Sequence, residues 1–312
     1  MSTLNALIAE RAHELEFDAC GFARATAVEV QAVRQHDQWI ALGHHARMAW
    51  AERNRDLRND PRQLLDGAQS LIVVAMNYFP ATTQPPQAAR VAYYAYGKDY
   101  HLVMRERMEA LAQFVTQVCG GATRCCVDTA PLRERYWAQK AGVGFIGRNN
   151  TLIIPGRGSY FFLGVIVTTA VLEPSEPCTL TCGDCHACER VCPGGALKDG
   201  EAVDANRCLS YLTIEHRGDL PEWAAQVLHG QVCGCDICQQ VCPHNRHARP
   251  TTVQPFAPLP SVMNLTPQRI AAMTSGEFRR AFHDSAIAHM RLSNLQRNAS
   301  ATTTPPTLHP DK

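Results

Sequence analysis

Nine of the chain's 14 cysteines stand in two short runs, 178–192 and 233–242, and few folds can accommodate such a density of thiols. The first run contains C-x2-C-x2-C-x3-C-P as Cys182, Cys185, Cys188, Cys192 and Pro193. In bacterial ferredoxins three thiolates of such a run hold one [4Fe–4S] cluster and the fourth reaches the neighbouring cluster. A structural zinc site would instead use four ligands in two separated pairs. The second run offers Cys235, Cys238, Cys242 and Pro243 but lacks one cysteine, because Val232 occupies the position three before Cys235. Reciprocal pairing assigns Cys182, Cys185, Cys188 and Cys242 to one cluster. The other takes Cys192, Cys235, Cys238 and a fourth ligand, for which Cys208 and Cys233 are the candidates. Cys233 lies two residues from Cys235, a spacing that would crowd one cluster, so Cys208 of "RCLSYLT" is favoured. Cys178 is left unligated, and Cys20, Cys119, Cys125 and Cys126 sit in apolar contexts as small core residues.

Two adjacent clusters form an electron wire, which implies a redox centre at its end. A chain of 312 residues has room for one: it suffices for two domains. A composition 46% hydrophobic and 19% charged is that of a water-soluble protein. Glu10, Arg11, Glu14 and Glu16 deny the N-terminus a signal-peptide core, and the apolar stretch 161–172 is too short to cross a bilayer. The expected location is the cytoplasm, where disulfides are rare and dense cysteine points to metal ligation. Two clusters of about −2 each move the formal charge of +1 to roughly −3. Nucleic-acid binding then requires a local basic patch.

Helical spacing is expected over 4–16, about 28–42 and 99–118, and a buried strand over 70–78. "TRCCVD" (123–128) reads as a short strand, followed by a helix with Pro131 near its first turn. "NTLIIP" and "SYFFLGVIVTTAVLE" read as a hairpin joined by Gly-Arg-Gly. Gly142, Gly144 and Gly147 match G-x-G-x-x-G, but the motif follows a helix, whereas a dinucleotide fingerprint follows a strand. Mixed elements over 1–172 indicate an α/β or α+β domain. The cysteine-rich region spans 173–250, helical segments 251–299 and a polar, disordered tail 300–312.

The ordered motifs "DPRQLLDGAQSLIVVAMNY", "YAYGKDYH", "VDTAPLRERYWAQKAGVGFIGRN", "GSYFFLG", "CGDCHACERVCPGGAL", "RCLSYLTIE" and "GCDICQQVCPHN" resemble the epoxyqueuosine reductases over roughly residues 1–299. These are iron–sulfur and cobalamin enzymes that complete queuosine in tRNA. The resemblance implies a cobalamin-binding α/β domain joined to a ferredoxin-like domain with two [4Fe–4S] clusters and short C-terminal helices. It also assigns the fourth ligand to the cysteine of "RCLSYLT", Cys208. The implied reaction is a two-electron, two-proton removal of an epoxide oxygen as water. The reductant would be an external donor of the reduced flavodoxin or ferredoxin type. On its residues alone, Asp128 ends a strand and reads as a cap for the following helix. The resemblance makes it the proton donor, with a carboxyl desolvated beside the corrin and a raised pKa. By resemblance the corrin contacts are Arg53, Asp128, Arg148, Asn149, Ser159 and Ser210. "DYHLVM" and "DCHACE" lack the glycine of D-x-H-x-x-G, so the cofactor is expected base-off with no protein histidine beneath cobalt.

A tRNA substrate requires basic residues near the acid, and Arg133, Arg135 and Lys140 flank it. Many relatives continue into tRNA-gripping helical repeats, whereas this chain stops soon after "LQRNAS". A monomer is expected. The competing readings are a cobalamin reductase of the dehalogenase type and a non-catalytic iron–sulfur electron carrier.

Overall fold

The computed structural model describes residues 3–198 and 202–302. Its centre is a four-stranded sheet in the order Ala19–Arg24, Ser70–Asn77, Phe161–Thr168 and Thr123–Cys126, with every neighbouring pair antiparallel. The first domain is therefore of the α+β kind.

The apolar run of Ser70–Asn77 is explained by burial on both faces. Ile72, Val74 and Met76 pack with Ile8, Met104, Met108 and Leu111 from the helices Thr3–Glu14 and Tyr100–Cys119. Leu71, Val73 and Ala75 pack with Trp137 and Ala138 of the helix Glu134–Lys140. Full burial of one such aliphatic side chain is worth about 1.5–3 kcal/mol, so the central strand must sit between two apolar layers. Gly164, opposite Val74, makes room for the long helix: a Cβ there would lie 2.3 Å from the Met108 sulfur.

Three local expectations are corrected. Phe161–Thr168 does not fold back on "NTLIIP". It is a central strand paired with Ser70–Asn77 and Thr123–Cys126, while Leu152–Ile153 pairs with Phe145–Ile146. Only the bridge from Ile154 to Gly158 remains of the expected hairpin. Pro131 lies outside the next helix, which begins at Glu134 with Arg133 at its cap position, so Asp128 does not cap it. The last helix, Leu292–Thr302, runs through 300–302, where the tail was expected to begin; residues 303–312 lie outside the described residues.

The C-terminal segments build a second core around a piece of the first domain. Arg90–Val91 pairs in parallel with Gln231–Cys233. Ala89, Val91, Ala95 and Tyr96 pack with Ile270, Phe278, Phe282 and Leu295. Among these helices Ser275–Phe282 has a complete capping box: Thr274 accepts from the Glu277 amide and the Glu277 carboxylate accepts from the Thr274 amide. No helix among the described residues is long and apolar enough to cross a membrane.

Candidate functional site

Each cysteine run folds as a tight loop and one short helix, Ala187–Val191 and Ile237–Gln240, followed by an extended Cys-Pro. The repetition brings the sulfurs into two groups. Cys192, Cys208, Cys235 and Cys238 act on one another electrostatically, as do Cys182, Cys185, Cys188 and Cys242. Gly194 permits the approach of the Cys208 segment, since a Cβ there would fall 1.9 Å from the Arg207 carbonyl oxygen. Backbone N–H groups point at the sulfurs: Ala196 at Cys192, Ser210 and Tyr211 at Cys208, Ile237 at Cys235, and His244 and Asn245 at Cys242. Such donors tune the potential of a thiolate-held cluster. Burial pushes the Cys188, Cys208, Cys235, Cys238 and Cys242 thiols up, an unfavourable setting for bare thiolates that bound iron reverses. Cys233 is placed apart: fully buried, its sulfur is 4.0 Å from the Tyr94 hydroxyl. Cys178 packs beside Phe145, Ile153 and Cys242.

Asp128 lies on the loop between Thr123–Cys126 and Glu134–Lys140, with φ +48°, a left-handed conformation sparse for residues other than glycine. Its side chain is 56% exposed. Oδ2 lies 3.1 Å from His101 Nε2, and the Tyr100 hydroxyl is a second partner. The hydrogen bond from His101 outweighs burial and holds the carboxyl below the usual range, the opposite of the raised pKa expected of it. The carboxyl that is raised belongs to Glu134, pushed to about 8 by burial and by the charge of Asp128; its Oε1 accepts the Asp128 N–H at 2.6 Å. His101 is held up at about 9, because its bonds to Asp128 and Asp99 overcome the burial that would lower it. Arg58, rather than Arg53, interacts with the Asp128 and Glu134 charges.

A cavity of about 570 Å³ opens between the helix Val30–Ala41, the 146–150 turn and the first cysteine loop, with Trp39, Ile146, Arg148 and Cys182 in its wall. Arg148 spans that wall by donating to the Gly183 carbonyl at 3.2 Å. Two buried nitrogens, Arg148 Nε in this wall and Asn149 Nδ2 on the adjacent residue, have no protein partner among the described residues, which suits a large ligand rich in polar groups. Asn149 and Arg148 also line the smaller void against Cys182, Cys185, Cys188 and Cys242.

Of the residues expected around the corrin, Arg148 alone lines this cavity. Ser159 is 4% exposed and its hydroxyl is engaged by Asn245 and Gln239. The Ser210 amide serves Cys208, and Arg53 is exposed at the turn preceding Arg55–Asn59. Asp128 faces His101 instead.

The basic trio also divides. Arg133 is a strut inside the domain, donating to the Ala32 carbonyl at 3.1 Å and to Asn59 Oδ1 at 2.6 Å, so it is not free to meet phosphate. Lys140 pairs with Glu29 and lies 5.5 Å from the centre of the Tyr136 ring. Arg135 is exposed and anchors on the Asn150 carbonyl at the cavity rim. Sequence reading missed Asp99, Glu134 and His289, and gave His101 no role although "DYH" was in view. The usable signal was the Asp-x-His spacing at the start of a helix.

Comparison with known proteins places this arrangement. Residues 58–129 match the family described as "Epoxyqueuosine reductase QueG, DUF1730", and residues 181–245 match the "4Fe-4S double cluster binding domain". The chain is 40% identical over 306 residues to the epoxyqueuosine reductase of Gloeobacter violaceus, covering 96% of this chain and 95% of that protein. It is 39% identical over 276 residues to that of Synechocystis, covering 87% and 95%. A crystal structure of epoxyqueuosine reductase with an epoxyqueuosine-modified tRNA-Tyr stem loop superposes with TM-score 0.89 at 28% identity, over 96% of this chain and 80% of that one. A Bacillus subtilis epoxyqueuosine reductase, described with its catalytic aspartate loop swung out of the active site, superposes with TM-score 0.87 at 27% identity, over 96% and 80%.

Proposed function

The chain belongs to the epoxyqueuosine reductase family, and from that membership we propose that it reduces epoxyqueuosine to queuosine in a tRNA anticodon loop, the last step of queuosine biosynthesis. The observation that carries this reading is the 40% identity spread over 96% of this chain and 95% of the relative.

Two [4Fe–4S] clusters serve the reaction. Cys182, Cys185, Cys188 and Cys242 would hold one, and Cys192, Cys208, Cys235 and Cys238 the other. Cys182 stands in the cavity wall, so the first set would hold the cluster nearer the cavity and the second would hold the one open to an external donor. Arg148 and Asn149 would hold cobalamin through their unpartnered nitrogens. When bound, cobalamin supplies a reducible cobalt that delivers electrons to the substrate. The protein's own part is to bind tRNA, exclude water and provide a proton. We assign proton donation to Asp128: its carboxyl is open to the solvent side, sits on a loop, and is supported from behind by His101 and Tyr100.

The direct test is anaerobic incubation of reconstituted protein with epoxyqueuosine-containing tRNA and a reductant, followed by nucleoside mass analysis. Conversion to queuosine is expected; unchanged nucleoside with intact clusters and bound cobalamin would overturn the reading. Binding of an anticodon stem-loop should be electrostatic and fall steeply with salt as phosphate contacts release counterions. Arg135→Glu should weaken it on the order of tenfold and reduce the salt slope by about one counterion. An affinity indifferent to salt would favour a small-molecule substrate.

A further inference from the structure

Four side chains from three distant segments form one hydrogen-bonded line. Asp128 Oδ2 meets His101 Nε2 at 3.1 Å, His101 Nδ1 meets Asp99 Oδ1 at 2.8 Å, and Asp99 Oδ2 meets His289 Nε2 at 2.7 Å. The line starts at the carboxyl assigned above to proton donation and ends on a ring 61% exposed. Resting on that reading of Asp128, we propose that His101 is the proton store that loads Asp128, and that Asp99, clamped by His289, is the positioning residue that fixes the store.

The geometry leaves His101 one orientation. Asp99 caps the helix Tyr100–Cys119 by accepting from the His101 amide at 3.0 Å, and the same oxygen takes the ring Nδ1–H. Nε2 is thereby turned to Asp128. The Tyr100 ring stacks on His101 with centroids 4.0 Å apart and blocks rotation on one side, while the His289 ring meets it edge-on at 5.2 Å. Asp99, His101 and His289 have ligand atoms within 4.8 Å of one another, but they face each other in pairs at hydrogen-bond length, and the second nitrogen of His101 is committed to Asp128. That arrangement conducts a proton rather than surrounding an ion.

A ring between two carboxylates is stable in its charged form, in keeping with the raised pKa of His101. The step is a simple transfer. The Nε2–H bond breaks as an O–H bond forms on Asp128 Oδ2; that O–H bond then breaks as the substrate oxygen takes the proton. His101 is left neutral with Nδ1–H still on Asp99, and it regains a proton at Nε2 from water after product leaves. The electrons are those of the two-electron reduction itself. The proposal also explains how an aspartate held below the usual range can act as an acid: its proton waits on the neighbouring ring.

The groups facing His101 are Asp99 and Tyr100 beside it, Asp128 and Glu134 across the loop, and His289 from the C-terminal segment, with Arg58 and Arg135 behind the carboxylates. Asp99→Asn keeps a good helix cap but removes the charge that stabilises the imidazolium. In protein with both clusters, histidine NMR without substrate should show the His101 ring titrating near 9 in the parent. In Asp99→Asn the midpoint should fall by at least about one unit. The alkaline limb of the single-turnover rate should move down with it, because the reactive form is the protonated one and is lost as pH rises. His101→Gln should abolish that limb and slow turnover at neutral pH by at least about tenfold with little change in KM. If Asp128→Asn is slow while His101→Gln and Asp99→Asn keep the parent rate and limb, the store is elsewhere, and Glu134 becomes the next donor to test. If Asp128→Asn itself turns over at the parent rate, the assignment of Asp128 falls first. Should His101→Gln lose its clusters, Asp99→Asn alone decides.

Discussion

Asp128→Asn should turn over at least about a hundredfold more slowly than the parent protein while retaining both clusters and cobalamin. The fold should tolerate the change for two reasons. Position 128 has φ +48°, where asparagine is among the few side chains at ease, and the aspartate caps no helix. The amide oxygen can still accept from His101, so the ring keeps its place. What disappears is an ionisable oxygen able to take a proton from His101 and pass it on. A hundredfold loss is the common scale for removing a general acid, about 2.7 kcal/mol of barrier. Single-turnover conversion of epoxyqueuosine-containing tRNA, with iron content and the cobalamin spectrum measured on the same sample, checks this. A near-parent rate would sink the assignment, and loss of cofactor would recast the residue as a binding group.

Replacing Cys208 should have the larger effect, because it breaks the supply of electrons. The parent should carry about eight iron atoms per chain. Cys208→Ala removes one of the four mutually close sulfurs of the second group and leaves the Ser210 and Tyr211 amides without their acceptor. Iron should fall to about four, with half of the visible absorbance lost and turnover with a physiological type of donor abolished. Cys233→Ala is the matched control. Cys233 is fully buried, but it faces Tyr94, and its removal creates only a small void. Both clusters should survive. Iron analysis and electron paramagnetic resonance distinguish the outcomes, and the reverse pattern would exchange the two assignments.

The cysteine chemistry was legible because it is local: ligand spacing of two and three residues is imposed by the cluster, and reciprocal pairing left few choices for the last ligand. The central strand was legible as a continuous apolar run and the long helix from its periodicity. What failed was of another kind. Sequence reading makes neighbours of consecutive apolar segments, whereas Phe161–Thr168 found its partners at 70–77 and 123–126. A positive charge near a catalytic motif does not reveal that Arg133 spends its donors on Ala32 and Asn59. Nor could the direction of the Asp128 pKa be read, because His101 and the residues that hold it come from elsewhere in the chain. Asp99 and His289 are 190 residues apart.

That separation sets an order of assembly. During synthesis the sheet and its two apolar layers can close once Phe161–Thr168 has emerged, and the cysteine loops follow. Asp99 still lacks His289, and Ala95 and Tyr96 still lack Phe278, Phe282 and Leu295, until the chain is nearly finished. The C-terminal helices are thus the last part of the chain to be made that packs on the 89–101 segment. A chain ending before residue 289 would lack the His289 clamp on Asp99 and the apolar partners of Ala95 and Tyr96.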